Sequence, residues 1–299
     1  YVPNNFGRGI VIPLVKDKNG DLSNSDNYRG ITVSPIISKI FEGYLLHKFH
    51  EFLYSSDLQL GFKRKIGCGQ AIFIAQQVVK YFVSRNSNVF VAAVDASKAF
   101  DKIDHCKLID KLRLRKVPDC FINIIVCWYS KLYSTVRWNG VYSAQFRVVE
   151  GVRQGGILSP ILFNLYVDEL IIQLKENGIG CHVGQTFIGC IMYADDLLLL
   201  SPSIKGLQDM LDICSIYGQM HNMKFNPTKS VLLCIGCKKQ NLPCLYIDKY
   251  PLQWTDKVKY LGVSFVAKFN LQVDSLCIKK KFYAALNSIL CKCKGLIEP

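Results

Sequence analysis

Acidic residues are scarce in this chain: 23 Asp and Glu stand against 37 Lys and Arg among 299 residues, a formal charge of +14. The deficit disfavours a basic partner and points to a polyanion, nucleic acid first. Also missing is any run approaching the roughly 18 uninterrupted apolar residues of a membrane-spanning helix, so no membrane partner is expected. The opening Tyr1-Val2-Pro3-Asn4 lacks both a signal-peptide pattern and an initiator Met. The expectation is an excerpt of a longer intracellular product, with nucleus and cytoplasm left open. No internal repeat or low-complexity linker divides the sequence, which favours one continuous architecture. The 13 cysteines lack regular spacing. Set singly in apolar contexts such as Val126-Cys127-Trp128 and Gly189-Cys190-Ile191, they read as buried free thiols. A zinc site from Cys234, Cys237 and Cys244 with Cys291 and Cys293 is the lesser alternative, because structural zinc ligands come in regularly spaced pairs.

What is present is core-forming residues, at 50% hydrophobic, enough for one large domain or two intimately packed ones. Ile72, Ala75, Val79 and Phe82 recur at helical spacing and predict a helix over 69–85. An apolar strand follows at 89–94 and stops at Asp95. Residues 104–132 read as helical with a break at Pro118. Residues 136–139 and 145–149 form a hairpin around Gly140. Ser159 as N-cap and Pro160 at the first helical position start a helix that runs through the apolar stretch 161–174. Leu207, Met210, Leu211, Cys214 and Tyr217 mark another helix, and strands reappear near 230–235 and 259–265. The pattern is α+β, with helices packed on one face of an antiparallel sheet.

Tyr193-Ala194-Asp195-Asp196 is the most informative stretch. It interrupts two uncharged apolar runs, 187–192 and 197–200, and so reads as a tight turn between two buried strands. Half-buried carboxylates are costly unless a cation compensates them, and a divalent metal ion does so most economically. An exposed acidic hairpin turn is the competing reading. Asp95 ends another apolar strand. If the strands are neighbours, three acids meet at one sheet edge and could hold two Mg²⁺ ions about 3.5 to 4 Å apart, as in phosphoryl transfer. If not, Asp95 simply caps the next helix.

Three further blocks bear on the choice. They are Val94-Asp95-Ala96-Ser97-Lys98-Ala99-Phe100-Asp101-Lys102-Ile103-Asp104-His105; Gly151-Val152-Arg153-Gln154-Gly155-Gly156-Ile157-Leu158-Ser159-Pro160 with the following Ile161-Leu162-Phe163-Asn164-Leu165-Tyr166; and Met223-Lys224-Phe225-Asn226-Pro227-Thr228-Lys229-Ser230, with Lys259-Tyr260-Leu261-Gly262 beyond it. In this order, around the Tyr193 turn, they resemble the reverse transcriptases of non-LTR (LINE-type) retrotransposons. Asn27-Tyr28-Arg29-Gly30 and Gly61-Phe62-Lys63 fit the same family's fingers, and the resemblance runs from about residue 8 to 265.

The resemblance implies a right-hand polymerase, with fingers over residues 1–85, palm over 86–265 and the start of a thumb over 266–299. It implies RNA-directed DNA synthesis, in which a primer 3′-OH attacks the α-phosphate of a dNTP. Asp95, Asp195 and Asp196 match the metal-binding catalytic triad, for two Mg²⁺ ions with Mn²⁺ as an alternative. Lys229 matches a proposed general acid for pyrophosphate. Arg29, Phe100, Gln154, Gly155 and Tyr193 match substrate-binding positions, Phe100 as the ring that obstructs a 2′-OH, with a core aromatic as its alternative. Tyr260, Leu261 and Gly262 match the primer grip. Asp101, Asp104 and His105 read as helix-start and packing residues, and Asp168 and Glu169 as the polar face of the helix after Pro160. The implied partners are an RNA template, a DNA primer and dNTPs, with an endonuclease domain elsewhere in the full-length product.

Gly30, Arg153 and Gly156 depart from the family's commonest residues, but no metal ligand is lost. Group II intron-type and telomerase-like enzymes share the triad, yet the Asp95 and Gly151 blocks look closer to LINE elements. A different class, a catalytically inactive nucleic-acid-binding remnant, would need only the charge and the aromatics. Both readings predict that affinity for nucleic acid falls steeply and linearly in a plot of log K against log salt; a titration from low to physiological salt showing flat affinity contradicts a basic groove.

Overall fold

In a computed structural model, which describes residues 1–236 and 242–293, the chain opens with the antiparallel pair β1 (Arg8–Val15) and β2 (Tyr28–Val33). Helices α1 (Ile36–Lys48) and α2 (Cys68–Val83) follow, the second where the apolar spacing places it. The next strand, β3 (Val89–Ser97), does not stop at Asp95: Ser97 and Ala96 pair with Lys224 and Phe225, which carries it two residues further. Pro118 divides the next helical stretch into α3 (His105–Leu114) and α4 (Asp119–Tyr129), because it donates no N–H and excludes the helical conformation from the residue before it. In the hairpin of β4 (Tyr133–Trp138), β5 (Val141–Tyr142) and β6 (Phe146–Arg147), Asn139 and Gly140 both take positive φ, the conformation tight hairpins demand.

Helix α5 (Ser159–Glu176) leads to the small hairpin β7 (His182–Val183) and β8 (Thr186–Phe187). Then come β9 (Cys190–Tyr193), β10 (Asp196–Ser201), α6 (Ile204–His221), β11 (Lys224–Phe225) and β12 (Val231–Ile235). Residues 187–192, expected as one strand, are interrupted at Ile188-Gly189. Beyond β13 (Leu245–Ile247) and β14 (Tyr250–Trp254), the stretch expected as one strand near 259–265 folds back on itself. It forms β15 (Lys257–Tyr260) and β16 (Val263–Ala267), followed by β17 (Leu271–Val273) and α7 (Ser275–Cys293).

The central sheet has the order β13-β14-β12-β3-β10-β9. Its middle is antiparallel, but β14 runs parallel to β12, as β4 does to β1 in the N-terminal sheet, so the expected antiparallel sheet is in fact mixed. Strand alternation sorts the core. Phe90, Ala92, Val94, Leu197, Leu199 and Leu232 face the side covered by α3, α4, α5 and α6. Val89, Val91, Leu198, Leu200, Leu233 and Ile235 face α2 and the β15–β17 meander. Helices therefore cover both sides, not the single face expected. An uninterrupted apolar run such as 89–94 exposes its second face to water unless something covers it.

Long-range polar contacts tie the layers. Ser159 does not cap α5; Leu158 holds that position without a side-chain bond. The N–H groups of Ile157 and Leu158, which lack a partner within the helix, instead donate to the Glu42 carboxylate from α1, at 3.0 Å for Leu158. Arg153 donates to the carbonyls of Phe6, Gly7, Arg8 and Tyr133, stitching the 151–156 loop to β1 and β4. Asp168 is no surface residue: it is buried, pairs with Arg115 and accepts the Ser56 N–H at 2.6 Å. Half-exposed Glu169 pairs with buried Lys111. Helix α5 is surrounded on nearly all sides, so even its polar positions need partners inside, and breaking the buried Asp168–Arg115 pair costs about 3–5 kcal/mol.

At the end of α6 the His221 ring lies 4.2 Å from that of Tyr217, with Nε2 3.7 Å from Glu169. Burial first, then Lys111 and Lys107 of α3 against the opposing Glu169 and Asp104, push its pKa from 6.5 down to about 4. The folded state thus refuses a proton that the unfolded chain accepts, and this contribution to stability, intact above the ordinary histidine value, is lost as pH falls through the window toward about 4. Thermal melts across that window should show a steeper loss for the native chain than for His221→Gln; identical slopes refute the assignment.

Candidate active site

The β3–β10 register places Asp95 directly opposite Asp196. Facing residues of an antiparallel pair point to the same side with Cβ atoms about 4.5–5.5 Å apart, so the two carboxylates stand side by side. Tyr193 pairs with Asp196, which leaves Ala194 and Asp195 as the two turn residues. Ala194 has φ of 56°, a left-handed conformation that costs a residue with a Cβ. Burial, with Asp95 nearby, raises the Asp195 pKa against the opposing pull of Arg29. Burial, then Asp195 and Asp95, push Asp196 up to about 6. Ionising all three therefore calls for positive charge. Among the described residues no three His, Cys, Asp or Glu form a ready metal cage. Mg²⁺ does not require one, since it takes one or two carboxylates, keeps waters and completes its shell with substrate phosphates. The donor set fits such an ion. For the zinc alternative, Cys237 lies outside the described residues; of the expected buried thiols, Cys181, Cys190, Cys214 and Cys234 are buried, but Cys127 is only half-buried and Cys106, Cys120, Cys244 and Cys291 are exposed.

A cleft of about 590 Å³ opens beside Asp95 and Asp195, and Lys16, Arg29, Lys98 and Lys229 bring positive charge to it. Lys229 Nζ lies 4.0 Å from Asp95. Its loop is set by the Asn226 side chain, which accepts the N–H groups of Thr228 and Lys229, while the Asn226 N–H donates to the Asp95 carbonyl at 2.8 Å. Phe100 borders the cleft and is stacked on Phe163, with centroids 4.3 Å apart and planes at 7°; Phe62 meets it edge-on. Its ring is thus both packed and presented. Gln154 donates to Asp101 at 3.1 Å, and its carbonyl accepts the Thr32 N–H. Gly155, at φ of 119°, approaches β2 so closely that a Cβ would sit 2.7 Å from the Thr32 carbonyl oxygen. Asp104 caps α3 by accepting the Lys107 N–H, as its helix-start reading anticipates.

Other expected site residues lie apart from the cleft walls. Tyr193 packs on the α2 side. Tyr260 is buried in the same cluster, with Leu261 and Gly262 forming the positive-φ tip between β15 and β16. Sequence reasoning did not single out Lys16, Asp26 or Lys98 for the cleft, nor the Lys98–Asp26 ion pair at 2.6 Å that crosses it. It also passed over Gln59. Fully buried, Gln59 accepts the Ala194 N–H at 3.0 Å and donates to the Ala194 carbonyl at 3.2 Å. Its position just before Gly61-Phe62 was the available signal.

The family model described as "Reverse transcriptase (RNA-dependent DNA polymerase)" matches residues 15–265. The Pol polyprotein of the type-2 retrotransposable element R2DM of Drosophila melanogaster is 30% identical over 88% of this chain and 25% of its own length. A probable RNA-directed DNA polymerase from transposon X-element of the same fly is 24% identical over 88% of this chain and 29% of its own. The chain thus spans about a quarter of the length of these relatives. Among solved structures, apo telomerase from Candida tropicalis truncated from its C-terminal domain superposes with a TM-score of 0.60 at 12% identity, covering 92% of this chain and 56% of that one. That likeness shows the right-hand polymerase fold, while the sequence similarity lies with non-LTR retrotransposon polyproteins. The chain belongs to the reverse transcriptase (RNA-dependent DNA polymerase) family, in its non-LTR retrotransposon branch.

Proposed function

We propose that this chain is the RNA-directed DNA polymerase region of a LINE-type retrotransposon protein, extending a DNA primer on an RNA template. The observation that carries the reading is the pairing of Asp95 with Asp196, beside Asp195, at the mouth of a cleft with basic residues on its walls. Reverse transcriptases generally use divalent metal ions. Two Mg²⁺, or Mn²⁺ in their place, held by Asp95, Asp195 and Asp196 would lower the pKa of the primer hydroxyl and neutralise the triphosphate. Arg29 presents a fixed guanidinium fork to the phosphates. Lys229, held near Asp95, is placed to give a proton to departing pyrophosphate. Phe100 selects the sugar by obstructing a 2′-OH, and Gln154 with Gly155 shapes the nucleotide side of the cleft. The β15–β16 hairpin, including Tyr260, Leu261 and Gly262, supports the primer strand, and Tyr193 braces the turn.

Fingers, palm and thumb are assigned to 1–85, 86–265 and 266–299, with the 133–147 hairpin hydrogen-bonded into the N-terminal sheet. An endonuclease is expected elsewhere in the full-length product. Intact carboxylates, cleft and basic lining favour an enzyme over an inactive remnant.

Two measurements test the reading. Asp195→Asn, or chelation of divalent metal by EDTA, should lower primer extension about 1,000-fold or more, since several kcal/mol of charge stabilisation is removed at about 1.4 kcal/mol per decade; template-primer binding should survive. A hybrid-binding protein that adds no dNTP in Mg²⁺ or Mn²⁺ would be the remnant instead. Phe100→Ala should raise ribonucleotide incorporation at least about 10-fold, the scale on which pocket shape discriminates. Unchanged sugar selectivity removes the gate from Phe100.

A further inference from the structure

The acidic turn holds a conformation its own residues do not favour. Ala194 sits at φ of 56°, where glycine or asparagine would be at ease. Its two-residue hairpin favours a positive φ at this position, at a cost to a residue with a Cβ, and Ala194 and Asp195 fall between the last β9–β10 pairs, outside the strand ladder. The residue that does engage the turn comes from 135 positions earlier in the chain. Gln59 closes a two-point clamp on one residue, accepting the Ala194 N–H at 3.0 Å and donating to the Ala194 carbonyl at 3.2 Å.

The clamp is itself held in place. Gln59 Oε1 also accepts the Gly61 N–H at 3.0 Å, and the Gly61 carbonyl accepts from Asn164 of α5 at 2.8 Å. Leu60 N–H donates to the Met192 carbonyl at 2.7 Å, and Met192 N–H to the Leu58 carbonyl at 2.9 Å, so residues 58–60 run as a short partner strand to β9. Gly61 has no Cβ where one would collide with the Ala194 backbone. Gln59 is fully buried and does not line the cleft. It is the amide, with a donor and an acceptor on one rigid plane, that can satisfy both backbone groups of Ala194 at once.

We propose that Gln59 is the positioning residue of the acidic turn, fixing Ala194 in its left-handed conformation so that Asp195 and Asp196 stand in register with Asp95 to hold divalent cations. The proposal rests on the polymerase reading for its kinetic consequence and on geometry alone for its metal-binding consequence. A buried amide serving only as core filling would influence stability without selecting this turn.

The test uses the native chain, Gln59→Leu, Ala194→Gly and the double variant. Three readouts are compared: Mn²⁺ affinity by electron paramagnetic resonance, kcat and KM for primer extension, and hydrogen exchange at the Ala194 amide. Gln59→Leu should weaken Mn²⁺ binding and lower kcat by about 100-fold, the effect of a displacement near 1 Å at a reacting centre, with KM for template-primer little changed. Adding Ala194→Gly, which adopts the same φ without steric cost, should recover much of both losses. In the native chain the Ala194 amide should exchange as slowly as its strand neighbours. Native-like Mn²⁺ affinity in a folded Gln59→Leu, or a double variant as impaired as the single one, overturns the assignment. If Gln59→Leu does not fold, rapid exchange of the Ala194 amide in the native chain overturns it and slow exchange sustains it. A chain that binds Mn²⁺ through the clamped turn yet never extends a primer sinks the polymerase reading and leaves the role of Gln59 standing.

Discussion

The hydrogen-bonded register between β3 and β10 is the constraint on which the site depends. Asp95 and Asp196 meet because Val94 faces Leu197, Ala93 faces Leu198, and so on along the strands to Phe90 and Ser201. Side chains alternate with a period of two, so a slip by one residue would turn the whole set to the other face and bury carboxylates under α3–α6. The apolar residues prevent that slip. Each face of the two strands is committed to a separate core, and an acid is tolerated only where the strand emerges beside the cleft.

Around this register, the N-terminal sixty-odd residues act as a brace. Glu42 satisfies the N-terminal amides of α5, Arg153 is anchored by carbonyls of Phe6, Gly7 and Arg8, and Gln59 engages the acidic turn. Each contact joins groups more than a hundred positions apart, and each leaves an unpaired buried polar group if one partner is removed, at a cost of about 1–3 kcal/mol. This N-terminal segment therefore braces the central sheet as well as lining the cleft. The same closeness brings Lys16, Asp26 and Arg29 to the wall opposite Asp95 and Lys98. The cleft thus carries both cations and acids on its lining.

Much was legible along the chain because the signals are local. The helix at α2, the division at Pro118, the positive-φ turn at Asn139-Gly140 and the turn before Asp196 follow from spacing and from what proline and glycine permit. Ser159 shows where local reasoning fails: a good capping residue lost that role to Glu42, which lies 117 positions earlier but close in space. Asp168 failed in the same way, since a carboxylate on a helix reads as solvated until Arg115 and the Ser56 amide are found beside it.

The sequence by itself determined which residues could do the chemistry: carboxylates at the ends of apolar runs, a glycine in the loop before the Ser159 helix, a basic surplus for a polyanion, and ordered motifs of one family. Only the tertiary structure decided which of them meet. Strand pairing set Asp95 against Asp196, two-sided burial put α2 opposite the other helices, and Gln59 took hold of Ala194. The physical reason is that hydrogen bonds and burial act through space, so a partner's identity is encoded locally while its position is set by every layer packed between.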